Sequence, residues 1–600
     1  MTDRPNILCI VSEDCPPRLG AYGDTLARTP HLDALAARGV TWEVACSTAP
    51  VCAPSRFAIL TGRHAPSTPP AQHMSAVAHL PADVPTYPQV MRDAGYYCTN
   101  NFKTHYNCDV DPQAIWDQSS DTAHWRDRPA STPFLAVFNC MTTHESCVFR
   151  HTDGAVGPAD VAIPPYLPDT PGTRRALATY YNCIEQMDAF MGERLAELEA
   201  AGVADDTIVF YYSDHGSPLP RSKRFCYDEG VRVPFIVHVP PKWRDLLPVE
   251  PGGRVTAPVS LVDLFPTFAA IAGVEAPPGL HGHPIMGPAR TDRTYAFSAR
   301  DRMDEHYDMV RTARSDRFRY IRNYAPHRIW GQHYAFAWES AAYQEYEQAW
   351  LDGDLDAVAA RFWQRKPAEE LYDTVSDPHA IVNLVDAPEH AETLKAMRAA
   401  LDEHMTRIHD AGFIPETDHP SQLADDFPYA RVLELAGHAI AREPARLPAF
   451  QALLSDPSPI VRFWAAQGLL MLAVDGHPLP SGLADDLVHE TDNHVRIALI
   501  EALGHGSDAL RAVTDLTEIA RTAQDDRVRL QALDALCALP PHPEISLTLM
   551  QELAVDPEEY VRGIAGYLKL KFEETYTPAS KVFRFDLFRA GMAQSNARRA

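Results

Sequence analysis

Asn6-Ile7-Leu8-Cys9-Ile10-Val11 runs straight into Ser12-Glu13-Asp14. A short, nearly unbroken apolar run of this kind reads as a strand covered on both faces, as in a parallel sheet with helices on either side. It ends on two acids, which puts carboxylates at the C-terminal edge of the sheet, where open α/β sheets collect their ligands. The figure recurs down the chain. Residues 134–138 form a strand followed by Thr142-Thr143-His144, and 207–212 form one that enters Ser213-Asp214-His215-Gly216. Val233-Pro234-Phe235-Ile236-Val237-His238-Val239 is another strand. Between them, Thr29-Pro30-His31-Leu32-Asp33 opens a helix with Thr29 as cap and Pro30 in its first turn. A long amphipathic helix covers about 174–201. Strands alternating with helices predict a doubly wound α/β domain over residues 1–295.

The texture changes after that. Arg317-Phe318-Arg319-Tyr320-Ile321-Arg322 alternates like an antiparallel strand, with Ser315-Asp316 as the preceding turn, and a helix follows near 392–404. This predicts a small α+β subdomain over 296–415. Beyond it the chain repeats. Val461-Arg462, Val495-Arg496, Val528-Arg529 and Val561-Arg562 recur at a period of about 33 residues, each with an Asp shortly before it. Small and apolar helical sequence follows each pair. We expect a HEAT-like helical array over 416–575, serving as a scaffold or dimer surface, and a tail over 576–600.

The 600 residues exceed one ordinary core, and the apolar and aromatic content is that of a globular protein. A net charge of −26 argues against nucleic acid or an anionic membrane surface as partner. It also disfavours a long polyanion as substrate and favours a small anion met by a local group of cations. No basic segment followed by an apolar stretch precedes the first strand, and no run reaches membrane-spanning length, so a cytoplasmic protein is expected. Eleven irregularly spaced cysteines without CxxC pairs predict reduced thiols.

Two strand ends therefore carry Glu13 and Asp14, and Asp214 and His215. Carboxylates suit a hard divalent cation, Ca²⁺ or Mg²⁺, and Mn²⁺ also accepts imidazole. The run Val51-Cys52-Ala53-Pro54-Ser55-Arg56, with Leu60-Thr61-Gly62-Arg63 after it, places Arg56 one helical turn from Cys52, positioned to brace it. Arg224 and Arg232 read as solvated surface, and His73, in Gln72-His73-Met74, as part of a surface loop near the substrate.

Cys-x-Pro-Ser-Arg followed by Leu-Thr-Gly-Arg resembles the stretch in which type I sulfatases oxidise a cysteine to formylglycine. Over roughly residues 4–410 the ordered set resembles that family: 6–14, 52–63, 103–105, His144, 213–216 and 223–234. Leu371-Tyr372-Asp373, leading to Asp377-Pro378, is similar to its C-terminal subdomain. Ala21-Tyr22-Gly23-Asp24, Cys98-Thr99-Asn100-Asn101 and Thr142-Thr143-His144-Glu145-Ser146 are similar to bacterial arylsulfatases and heparan N-sulfatase. The resemblance implies an alkaline-phosphatase-like fold and a metal-dependent hydrolase of sulfate esters or sulfamates. It implies one divalent ion, Ca²⁺ ahead of Mg²⁺ or Mn²⁺, on Glu13, Asp14, residue 52, Asp214 and His215. It also implies a formylglycine-generating enzyme as partner and a small anionic sulfate ester as substrate. A homo-oligomer is compatible with it.

By the same resemblance, one hydroxyl of hydrated formylglycine at Cys52 attacks sulfur, with Lys103 and Lys223 neutralising the sulfonate oxygens. His144 or Lys223 protonates the leaving group, and His105 takes the second hydroxyl's proton, so that sulfate is expelled. Three positions depart from the common pattern. Glu13 stands where many sulfatases have Asp, His215 where many have Asn, and His105 where close relatives carry Asp. The Asp-His form also occurs in phosphonate monoester hydrolases. A phosphonate or phosphodiester hydrolase, and a non-catalytic scaffold built around the helical array, are therefore the rival readings.

Overall fold

The computed structural model describes residues 4–417, 427–506, 508–540 and 547–588. The chain forms two compact units. One contains Met1–Arg300, Val310–Arg322 and Glu369–Asp410, and the other Asp301–Met309, Asn323–Ala368 and Ala411–Ala600.

The first unit is built on an eight-stranded sheet. Its strands in spatial order are Arg254–Val255, Val40–Trp42, Phe235–His238, Thr207–Ser213, Asn6–Ser12, Phe134–Cys140, Tyr97–Asn101 and Gln118–Ser119. Asn6–Ser12 is buried throughout and pairs in parallel with Phe134–Cys140 on one side and Thr207–Ser213 on the other. Tyr97–Asn101 continues the parallel order. Phe235–His238 breaks it, running antiparallel to both of its neighbours. The sheet is therefore mixed, because an apolar run announces burial but carries no direction. The expected strand over 233–239 is also split, with Arg232–Val233 pairing in a separate three-stranded sheet.

The Pro30–Arg38 helix forms where expected, but Thr29 does not cap it. The Thr29 hydroxyl instead donates to Asp33 Oδ1 at 3.0 Å and accepts from the Gly20 N–H at 2.9 Å. The helix's open N–H groups at His31 and Leu32 are taken by the buried carboxylate of Asp188, at 3.1 and 2.9 Å, from the long Pro171–Ala200 helix. A local cap has been replaced by a tertiary one, which also fixes the packing of the two helices. The antiparallel sheet comprises Ala296–Arg300, Val310–Arg314, Phe318–Asn323 and Glu369–Asp373, and the helix Ala391–Ile408 follows it.

In the second unit each Val-Arg pair sits in the first turn of a helix: Pro459–Val474, Asn493–His505, Asp526–Ala538 and Glu559–Phe572. The four valines are buried. Two of the arginines reach the acid that precedes the next repeat, Arg462 to Glu490 at 2.7 Å and Arg529 to Asp556 at 2.5 Å. The array also holds the segments that interrupt the antiparallel sheet. Asp534 pairs with His306 at 2.6 Å, and Glu501 accepts from Arg328 at 2.7 Å. Among the described residues no helix is long and apolar enough to cross a membrane.

Asp188→Ala should leave the buried Leu32 N–H and the partly buried His31 N–H without partners and cost the first unit about 1–3 kcal/mol. A lower urea midpoint for that unit is expected, with Asp188→Asn, which keeps an acceptor, falling between. An unchanged midpoint would refute the tertiary cap.

Candidate active site

Four neighbouring parallel strands end at the same edge, and their loops supply the site. Ser12 stands opposite both Ser213 and Cys140, so Glu13 and Asp14 leave the sheet beside Asp214 and His215 on one side and the 141–145 turn on the other. The loop after Tyr97–Asn101 brings Lys103 and His105. Lys223 arrives because Gly216 lets two backbones touch: its N–H donates to Gly230 O at 2.9 Å, and a Cβ there would lie 2.1 Å from Glu229 O. Cys52 begins the fully buried Cys52–Thr61 helix, so it also lies at the electropositive end of a helix. Ser55 anchors that helix by donating to Asp214 O at 2.5 Å.

The side chains interlock. Lys103 Nζ lies 3.3 Å from Glu13 Oε2, and Lys223 Nζ lies 2.8 Å from Asp14 Oδ2 and 3.3 Å from Glu145 Oε2. Arg56 Nε donates to Asp214 Oδ2 at 3.1 Å, and its other nitrogens donate to Glu13 and to Asn139 Oδ1. Arg56, expected to brace residue 52, thus binds two of the carboxylates grouped with that residue. His105 and His215 both come within hydrogen-bond reach of the Cys52 sulfur. His144 Nδ1 accepts from the Ser146 N–H at 3.3 Å, which leaves the ring proton on Nε2.

Charge and burial compete at every group. Burial alone would push the Cys52 thiol up, but Lys223, Lys103 and the two histidines outweigh it and hold the thiol well below its ordinary value. Burial opposes the charge on Lys223 too, yet Asp14 and Glu145 raise it well above the usual lysine range. His144 is lowered by burial and by the charge of Lys223. Burial, then the Glu13 charge, pushes Asp214 up to about 7. His215, against its burial, is raised to about 10 by Asp14 and Asp214.

Two groups of potential ligands share the Cys52 sulfur, Asp14 with His215 and Glu13 with Asp214, and within each the ligand atoms lie within 4.8 Å of one another. Glu13 Oε2, Asp14 Oδ1 and His215 Nε2 are buried and make no hydrogen bond, although His215 Nε2 is 2.8 Å from Asp14 Oδ1. His215 Nδ1 donates to Gly216 O at 3.1 Å, so a cation that displaced the Nε2 proton would meet that nitrogen's lone pair beside the carboxylates. Three carboxylates and one oriented imidazole around unsatisfied atoms fit a hard divalent cation.

The structure thus brings together Glu13, Asp14, Cys52, Arg56, Lys103, His105, Lys223, Asp214 and His215, with His144 on the adjoining turn. Two surface assignments are corrected. Arg224 is buried and binds Glu145 through two hydrogen bonds, at 2.6 and 3.2 Å, and His73 is buried as well. Arg232 is half-buried, donating to Glu43 O at 2.8 Å. Glu145, Asn139 and Asn100 were missed. Glu145 ties Lys223 and Arg224 to the site, and its N–H donates to Asp14 Oδ2 at 2.7 Å. Its place next to His144 was the one available signal.

The Sulfatase family model matches residues 5–107 and 97–274, and the HEAT repeats model matches 450–537. An ulvan-active sulfatase of Formosa agariphila is 35% identical over 474 residues, covering 70% of this chain and 78% of the relative. Human N-sulphoglucosamine sulphohydrolase is 25% identical, covering 68% and 90%. Among solved structures, a 2-O GAG sulfatase (21% identity) covers 71% of this chain and 96% of its own, with a TM-score of 0.50. The phosphonate monoester hydrolase of Agrobacterium radiobacter (16%) covers 68% and 96%, also at 0.50. These two share the fold.

Arg56→Met should leave Glu13 and Asp214 buried without their cation and cost about 3–5 kcal/mol in chelator. Millimolar Ca²⁺ or Mn²⁺ should recover part of the loss in thermal melts. Equal melting of variant and parent in chelator would contradict this role.

Proposed function

The chain belongs to the sulfatase family and is a sulfuric ester hydrolase, and from that premise we propose that it removes sulfate from a small sulfated sugar at residue 52, matured to formylglycine, with a divalent cation on Glu13, Asp14, Asp214 and His215. The observation that supports this reading most is the position of Cys52. Its sulfur lies where both ligand pairs meet, within the field of Lys103 and Lys223 and within reach of two histidines.

Hydrated formylglycine supplies a nucleophilic hydroxyl and a second hydroxyl whose deprotonation frees sulfate, and the cation, Ca²⁺ ahead of Mg²⁺ or Mn²⁺, supplies Lewis-acid neutralisation of the sulfonate oxygens. The remaining work falls to the side chains. Lys103, beside Glu13, and Lys223, beside Asp14, neutralise the charge that grows on the sulfonate in the transition state. The N-terminus of the Cys52–Thr61 helix adds to this. His144, with its proton on Nε2, is the general acid toward the leaving atom, and His105 is the base at the second hydroxyl. Arg56 keeps Glu13 and Asp214 in place while the charge at the centre changes. The relatives named for ulvan and for N-sulphoglucosamine support a sugar as substrate, and they leave both an ester and a sulfamate as the bond that is cut.

Protein produced with a maturing enzyme should show the Cys52 peptide lighter by about 18 Da, an oxidation off the usual sulfenic-to-sulfonic ladder. Cys52→Ala should lower kcat/KM at least ~10³-fold on a sulfated sugar. A matured enzyme that turns over phenyl phosphonate faster than any aryl, sugar O- or sugar N-sulfate would instead establish the phosphonate reading.

A further inference from the structure

Asn139 and Asn100 lie in neighbouring strands of the sheet's parallel core, only 3% and 2% exposed. Asn139 follows the apolar run 134–138 and Asn100 stands between Thr99 and Asn101, and burying two amides in the sheet carries a penalty unless their polar atoms are paired. These are paired, and the pairs form a chain. Arg56 Nη1 donates to Asn139 Oδ1 at 2.9 Å. Asn139 Nδ2 donates to Asn100 Oδ1 at 3.1 Å and to Asn101 O at 2.8 Å. Asn100 Nδ2 donates to Lys103 O and to Ser119 Oγ, each at 3.2 Å. One end of the chain is the arginine that holds Glu13 and Asp214, and the other is the backbone of the lysine that faces Glu13.

We propose that Asn139 and Asn100 are positioning residues that fix the Lys103 backbone against the carboxylate cluster, so that the lysine's ammonium meets the sulfonate at a set distance. The assignment rests on the role given to Lys103 above. The two asparagines touch neither sulfate nor cation; they act through Arg56 and Lys103. Beyond their mutual bond, the pair's donors go to the Asn101 and Lys103 carbonyls and to Ser119 Oγ, and its remaining acceptor takes Arg56, so the two groups that face Glu13 are tied to one network. Displacements of an ångström at such a group are worth up to ~10²-fold in rate.

The test is a double-mutant cycle read on inorganic sulfate binding by calorimetry and on kcat/KM for a sulfated sugar, with matured, cation-loaded protein. Asn100→Ala leaves every Arg56 contact intact. It should weaken sulfate binding and lower kcat/KM by ~10–100-fold. In the Lys103→Ala background the same change should cost less than ~2-fold, because its effect passes through the lysine. Asn100→Leu is the companion, since a small cavity beside Asn100, Asn139 and Lys103 gives water room to replace a missing amide. Asn139→Ala should reproduce the loss with an added drop in melting temperature. Equal losses in both backgrounds, or unchanged sulfate affinity in Asn100→Leu, would overturn the proposal. An inactive parent that still binds sulfate would overturn the proposed function alone, and the cycle would then be read from binding.

Discussion

A guanidinium wedged between two buried carboxylates is the interaction on which this site depends. Parallel pairing of Asn6–Ser12 with Thr207–Ser213 brings Glu13 and Asp214 together in the buried interior, where their charges are poorly screened. Without a cation in place the folded sheet would repel itself at its functional edge. Arg56 supplies that cation permanently, from the helix that begins with Cys52, so the strands and the helix cannot be positioned independently. Lys103 and Lys223 repeat the arrangement further out, each against one acid of the first strand end. The cluster is thus an alternation of opposite charges with Cys52 inside it, and the lowered thiol and raised His215 are two expressions of that field.

Much of this was legible in the sequence because burial and chirality leave marks there. Continuous apolar runs that stop on charged residues mark parallel strands and their ligand-bearing ends, which is why Glu13, Asp14, Asp214 and His215 could be grouped before any distance was known. Strand direction leaves no such mark, and the reversal at Phe235–His238 went unread. Arg224 looked like surface because its partner, Glu145, lies far away in sequence. The same reason hid the capping of one helix by Asp188. Asn100 and Asn139 were invisible as a pair, since they are far apart in sequence and only the pairing of their strands brings their amides within 3.1 Å.

The repeats were visible through their period, but their task was not. Their buried valines are the expected core, while the acids at Glu501 and Asp534 face Arg328 and His306 in segments that interrupt the antiparallel sheet. The array is therefore in part an internal partner, binding segments of its own chain through Glu501 and Asp534.

The complete burial of the Cys52–Thr61 helix also sets an order of events. Any enzyme that modifies Cys52 must grasp the peptide around it, and the folded protein offers no grip on that peptide. Chemistry at this residue therefore competes with folding. The groups that close over Cys52 lie as late as Asp214 and Lys223, and at typical rates of synthesis they emerge about 10–30 s after it. The length of chain between residue 52 and its last neighbours thus works as a timer, setting how long that residue stays accessible before the sheet is complete.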